Sequence, residues 1–169
     1  MTSMDTVTPT SLATPLRPTP AVLRSDLVPA ASPPLAARHF LAKLAFETDP
    51  SDLAADLSAG AGADGRIVVV DTRAPDAHRV AHIAGAISLP HATIDERTTA
   101  DLDRAALYIT YCWGPACNAS TRGAANLGAL GFRVKELIGG LSAWQAEGFP
   151  VEGDSPDRPA REVECACAC

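Results

Sequence analysis

Tyr108-Ile-Thr-Tyr-Cys112-Trp-Gly-Pro-Ala-Cys117-Asn118 runs from a β-branched and aromatic segment into a Gly/Pro loop, and the helical pattern Ser120 to Leu130 follows. A strand that ends on a cysteine and turns at once into a helix sets the thiol beside the first helical N–H groups, which lack partners within the helix. The positive end of the helix dipole points the same way. Such a position favours the thiolate, the nucleophilic form of cysteine. Cys112 is therefore the candidate nucleophile.

Working outward, Ile67 to Val70 is a continuous β-branched run between Gly65 and Asp71, the pattern of a strand covered on both faces. Ala86 to Leu89, Leu107 to Tyr111 and Val134 to Ile138 give further strands. Pro75 to Val80, Ser120 to Leu130 and Leu141 to Glu147 give helices, the last two stopped by Gly131 and Gly148. Strands alternating with helices predict an α/β domain with a mostly parallel central sheet and helices on both faces. Ligands bind outside the carboxyl ends of the strands in such sheets, and Cys112 stands at one of them. Upstream, Ser51 is the expected N-cap of a helix carrying Leu53, Ala54 and Leu57. Pro34 to Phe46 spaces Leu35, Ala36, His39, Phe40, Lys43 and Leu44 as an amphipathic helix leaning on the domain. His39 reads as a packing residue, since no other ligand type lies at metal-binding spacing around it. The organisation expected is a disordered Pro/Thr/Ser-rich tail over 1–34, a helix and connector over 35–50, the α/β domain over 51–152 and a flexible Cys-rich tail over 153–169.

Composition narrows the function classes. The chain has 169 residues, 47% hydrophobic and 20% charged, an ordinary balance for one globular domain with tails. A net charge of −6 with 14 scattered Lys and Arg gives no nucleic-acid footprint. No run approaches the roughly 18 to 20 apolar residues of a membrane span, so no membrane partner is expected and a cytoplasmic protein is. Five cysteines, three of them crowded at the C-terminus, argue against a disulfide framework and suit a working thiol in a reducing compartment.

Four further stretches stand around the cysteine. They are Val68-Val-Val-Asp71-Thr-Arg73, His82-Ile-Ala-Gly85-Ala86-Ile-Ser-Leu-Pro90, Gly139-Gly140-Leu-Ser-Ala-Trp144 and Gly148-Phe-Pro150. In this order, from roughly Ser51 to Glu152, the chain resembles a rhodanese domain, the single-domain sulfurtransferase family. The resemblance implies a rhodanese-like fold and a persulfide on Cys112. Thiosulfate or another persulfide would be the donor, and a thiol, a cyanide-like species or a protein the acceptor, with no cofactor and no metal. Loop amides from Trp113, Gly114, Ala116, Cys117 and Asn118 would cradle the persulfide anion, while Pro115 removes one donor. The loop also departs from the family pattern. Trp113 stands where an Arg is expected, and the segment is about two residues longer, which weakens thiosulfate because a dianion loses charge-assisted hydrogen bonds. Asn118 occupies the place of the Arg that clamps phosphate in the phosphatases sharing this fold, so ester hydrolysis is not expected.

The remaining residues carry blander roles. Asp71 and Arg73 fit the family's acidic-x-Arg signature as a cap or ion pair, His82 fits its turn as a hydrogen-bonding residue, and Trp144 and Phe149 read as core. Asn118 is expected to cap the following helix or to stabilise the turn. Cys117 has two readings: a thiol that resolves an oxidised Cys112, or a small residue packed beneath the loop. Cys165, Cys167 and Cys169 could accept sulfur from Cys112 or be incidental, and three thiols do not close a tetrahedral metal site. The alternative to an enzyme is a thiol redox sensor or interaction module built on Cys112 and Cys117.

Overall fold

In the computed structural model, which describes residues 28–159, the elements run α1 (Pro33–Phe46), β1 (Glu47–Thr48), α2 (Pro50–Ser58), β2 (Ile67–Asp71), α3 (Pro75–Val80), β3 (His82–Ile83), β4 (Ile87–Ser88), a 3-10 turn (His91–Thr93), β5 (Leu107–Tyr111), α4 (Ala119–Ala129), β6 (Arg133–Leu137), α5 (Gly140–Ala146) and β7 (Val151–Glu152). Five strands form a parallel sheet in the order β1-β6-β5-β2-β4, and β3 pairs antiparallel with β7 beside it. The two β-branched and aromatic runs take the centre because both of their faces are buried. Ile67, Val69, Ile109 and Tyr111 point to one face, where Leu53, Leu141 and Trp144 of α2 and α5 pack. Val70 and Tyr108 point to the other, against Leu127 of α4, Leu89 and Phe132. The period-2 alternation of each strand thus divides its side chains between two cores.

Several boundaries differ from the expected ones for local reasons. The cap of α2 is Asp49, whose carboxylate accepts the Asp52 N–H at 2.8 Å, with Pro50 in the first turn where a missing N–H costs nothing. Ser51 lies inside the helix. Helix α1 buries none of its residues, and Leu35, Phe40, Leu41, Leu44 and Phe46 are exposed, so its apolar side does not lean on the core as expected. His39 is likewise exposed, set edge-on to Phe40. The stretch taken as a connector adds an edge strand instead: Glu47 is in register with Glu136 and Thr48 with Leu137. That pairing brings the end of α1 to the carboxyl end of the sheet, where Cys112 is. No helix among the described residues is long and apolar enough to cross a membrane.

Candidate active site

β5 delivers Cys112 to the carboxyl end of the sheet, and residues 113–118 turn the chain into α4. The cysteine is 2% exposed and forms the floor of a cleft of about 690 Å³ whose wall includes Gly114 to Asn118, Ser120, Thr121, Glu136 and Gly140. The start of α5 holds the loop: Leu141 N–H donates to Cys112 O at 2.9 Å and Ser142 N–H to Trp113 O at 2.8 Å. So close an approach requires a glycine, since Gly140 has φ +56° and a Cβ there would stand 2.5 Å from Cys112 O and 3.0 Å from Gly114 N. Gly140→Ala is expected to displace the cysteine loop, costing about 2 kcal/mol or more of stability and slowing Cys112 alkylation. Thermal melting and iodoacetamide labelling read the two effects, and unchanged labelling would show that the loop tolerates the methyl group.

Oxygen atoms surround the sulfur. The Cys112 thiol lies 3.2 Å from Cys117 O and 3.5 Å from Gly114 O, and Ser120 Oγ lies 3.2 Å from Sγ. Ser120 also donates to Glu136 Oε1 at 2.6 Å, and Thr121 Oγ1 lies 3.0 and 3.1 Å from the same carboxylate. A hydroxyl has one proton and serves one of these acceptors at a time. With Glu136 ionised, the charge-assisted bond to its carboxylate takes that proton, and the thiol is then a donor to the oxygens around it. None of Ser120, Thr121 or Glu136 was singled out from the sequence. A signal existed for Glu136: a charged residue near the end of the strand β6, in register with Thr110 two positions before Cys112.

The loop is less of an amide cradle than its sequence suggests. Cys117 N–H is taken by Gly114 O at 3.1 Å. Asn118 sits at the N-cap position with φ −103° and ψ 13°, and its side chain makes no cap bond, so it does not cap α4 as expected. Trp113 is half-buried but does not line the cleft, whereas Gly114, Ala116, Cys117 and Asn118 do. Cys112 is a free thiol. Cys165, Cys167 and Cys169 lie outside the described residues.

Asp71, Arg73 and His82 are not brought to the cleft. Asp71 and Arg73 form a buried pair: Arg73 Nε donates to Asp71 Oδ1 at 2.9 Å and Nη2 to Oδ2 at 2.6 Å. Tyr111 OH donates to the same carboxylate at 3.0 Å, while Thr72 Oγ1 donates to Tyr111 O at 2.8 Å, so the pair braces the residue before Cys112. Burial works to raise the Asp71 carboxyl, but the Arg73 and His78 hydrogen bonds prevail and hold it below the usual carboxylate range. Burial and the facing Asp71 charge push the Tyr111 phenol well above its ordinary value, so it stays a neutral donor. His82 Nδ1 meets His78 O at 2.7 Å and its ring stacks on His78 at 3.8 Å, a turn-holding arrangement.

Comparison with known proteins agrees with this architecture. Thiosulfate sulfurtransferase GlpE of Pseudomonas putida is 37% identical over 109 residues, covering 63% of this chain and 91% of that protein. An HTH-type transcriptional regulator of Mycobacterium tuberculosis is 30% identical over 95 residues, covering 54% of this chain, which spans only 40% of the regulator's length. A crystal structure of a Bacillus halodurans protein superposes with a TM-score of 0.68 at 49% identity, over 72% of this chain and 86% of that one. The profile of the rhodanese-like domain matches residues 52–147, which run from α2 through the cysteine loop to α5, and the chain accordingly belongs to the rhodanese-like domain family.

Proposed function

We propose that the protein is a sulfurtransferase that carries a sulfane sulfur as a persulfide on Cys112. The observation that carries this reading is the position of Cys112 Sγ, on the floor of an open cleft at the carboxyl end of β5 and held there by backbone bonds from α5. The thiolate attacks the outer sulfur of a donor R–S–SH, forming Cys112–S–SH and releasing R–S⁻. An acceptor thiolate or cyanide-like nucleophile then takes that sulfur and regenerates the Cys112 thiolate. Once the thiol proton has left, the Ser120 hydroxyl can turn from Glu136 to the sulfur and replace one of its lost contacts. The family and the similarity to a thiosulfate sulfurtransferase support the reaction class. The loop carries no Arg or Lys, and Lys43, the cation that lines the cleft, is bonded to Glu47, which favours a persulfide over dianionic thiosulfate as donor.

Intact mass after incubation with a small persulfide is expected to show one added sulfur, mapped to Cys112 and discharged by a thiol. A Cys112–Cys117 disulfide with no sulfur turnover would overturn this reading in favour of a redox sensor.

A further inference from the structure

The cleft over Cys112 is acidic, and its charge is set by Glu136. Three side chains with formal charge line it: Lys43, Glu47 and Glu136. Lys43 and Glu47 are bonded to each other, one helical turn apart at the end of α1. Glu136 has hydroxyl partners, Ser120 and Thr121, and no ion pair among the described residues. These hydroxyls aim the carboxylate without neutralising it. The two bonds from Sγ to Ser120 and from Ser120 to Glu136, 3.2 and 2.6 Å long, place Oε1 no more than about 6 Å from the sulfur. Any molecule whose sulfur meets Cys112 therefore brings its neighbouring groups within reach of a negative charge.

We infer that the site selects sulfane-sulfur carriers with an ammonium group two carbons from the sulfur, the β-aminothiol persulfides, with Glu136 as the residue that binds the ammonium. This deepens the sulfurtransferase reading and rests on it. The two-carbon spacing suits the site: with the outer sulfur against Sγ, so short a chain can fold back to bring its ammonium within reach of the Glu136 carboxylate. A sulfonate or carboxylate in the same place meets a like charge with no guanidinium in the cleft lining to offset it, as Trp113 and Asn118 occupy the loop positions where the family resemblance leads one to expect Arg. The chemical step is the one given above and does not change with the donor. Charge on the carrier alters only how well the reacting sulfur is presented.

The test is a series of persulfides differing in one group: 2-aminoethyl persulfide, its neutral N-acetyl derivative and 3-mercaptopropionate persulfide, with thiosulfate alongside. The released thiols differ in basicity across the first three, an intrinsic difference that is the same for the unaltered protein and a Glu136 variant and cancels when their spreads are compared. In low salt, kcat/KM should fall about 10-fold from ammonium to neutral and again from neutral to carboxylate. Raising the salt to about 0.5 M should narrow the spread in the unaltered protein, a readout that needs no variant. Glu136→Gln, which keeps an oxygen for Ser120 and Thr121, should compress the ammonium-to-carboxylate spread by about 10-fold relative to the unaltered protein. A flat series in the unaltered protein, or a spread that survives Glu136→Gln, overturns the inference while leaving the sulfurtransferase in place. Failure of every donor to load Cys112 overturns the sulfurtransferase reading itself.

Discussion

Cys112→Ser is expected to abolish sulfur transfer, by at least about 10³-fold, because an alkoxide at neutral pH is neither formed nor able to hold a persulfide. The structure sharpens what the melting curve should show. Cys112 is 2% exposed, so the substitution exchanges a buried, polarisable sulfur for a smaller, more polar oxygen. Cys117 O and Gly114 O are in place to accept from the new hydroxyl, which limits the loss to about 1 kcal/mol. Activity assays and thermal melts on the same preparation decide the matter. Residual activity near that of the parent would remove Cys112 from its role, and a collapsed fold would make the loss of activity uninformative about chemistry, for which Cys112→Ala then serves as the second variant.

The parts of the fold legible in the sequence are those set by local period. Ile67 to Val70 and Leu107 to Tyr111 stand out as strands because both of their faces are buried and neither run contains a breaker; β5 has the expected limits and β2 one residue more. Pro75 to Val80 stands out because proline marks its start. What was not legible depends on partners distant in sequence. Glu47–Thr48 is two residues long and carries no strand pattern; it is a strand only because β6 offers an edge. The same holds for the site. Cys112 was found from its place between a strand and a helix, whereas Ser120 and Glu136 join it through register. A parallel sheet aligns the carboxyl ends of β5 and β6, and the first turn of α4 lies over both. Trp113 is expected from the sequence to offer its amide to the persulfide, whereas the cleft lining begins at Gly114, and Ser142 N–H binds the Trp113 carbonyl to the start of α5.

Asp71→Ala is expected to cost about 3–5 kcal/mol and to lower the melting temperature by about 10 °C or more, the largest stability effect of any single change proposed for this chain. The reason is what the substitution leaves behind rather than what it removes. Arg73 is 3% exposed, and its Nη1 already lacks a partner, so loss of the carboxylate strands a buried guanidinium with Ala81 O as its remaining acceptor. Tyr111 OH loses its acceptor as well, and because Tyr111 immediately precedes Cys112 the damage reaches the reacting sulfur. The same pair gives the protein an acid limit. Asp71 is held below its ordinary carboxylate value in the folded state, so its contribution is fully present above the unfolded value near pH 4 and is lost as pH falls below that towards the folded one. Unfolding free energy measured by urea titration between about pH 3 and pH 6 should therefore rise with pH in the parent. In Asp71→Asn, which keeps the shape and gives up the charge, this rise should be shallower at every point. A parent and variant with parallel pH profiles would mean that the Asp71–Arg73 pair does not set the acid stability, whatever the size of the drop in melting temperature.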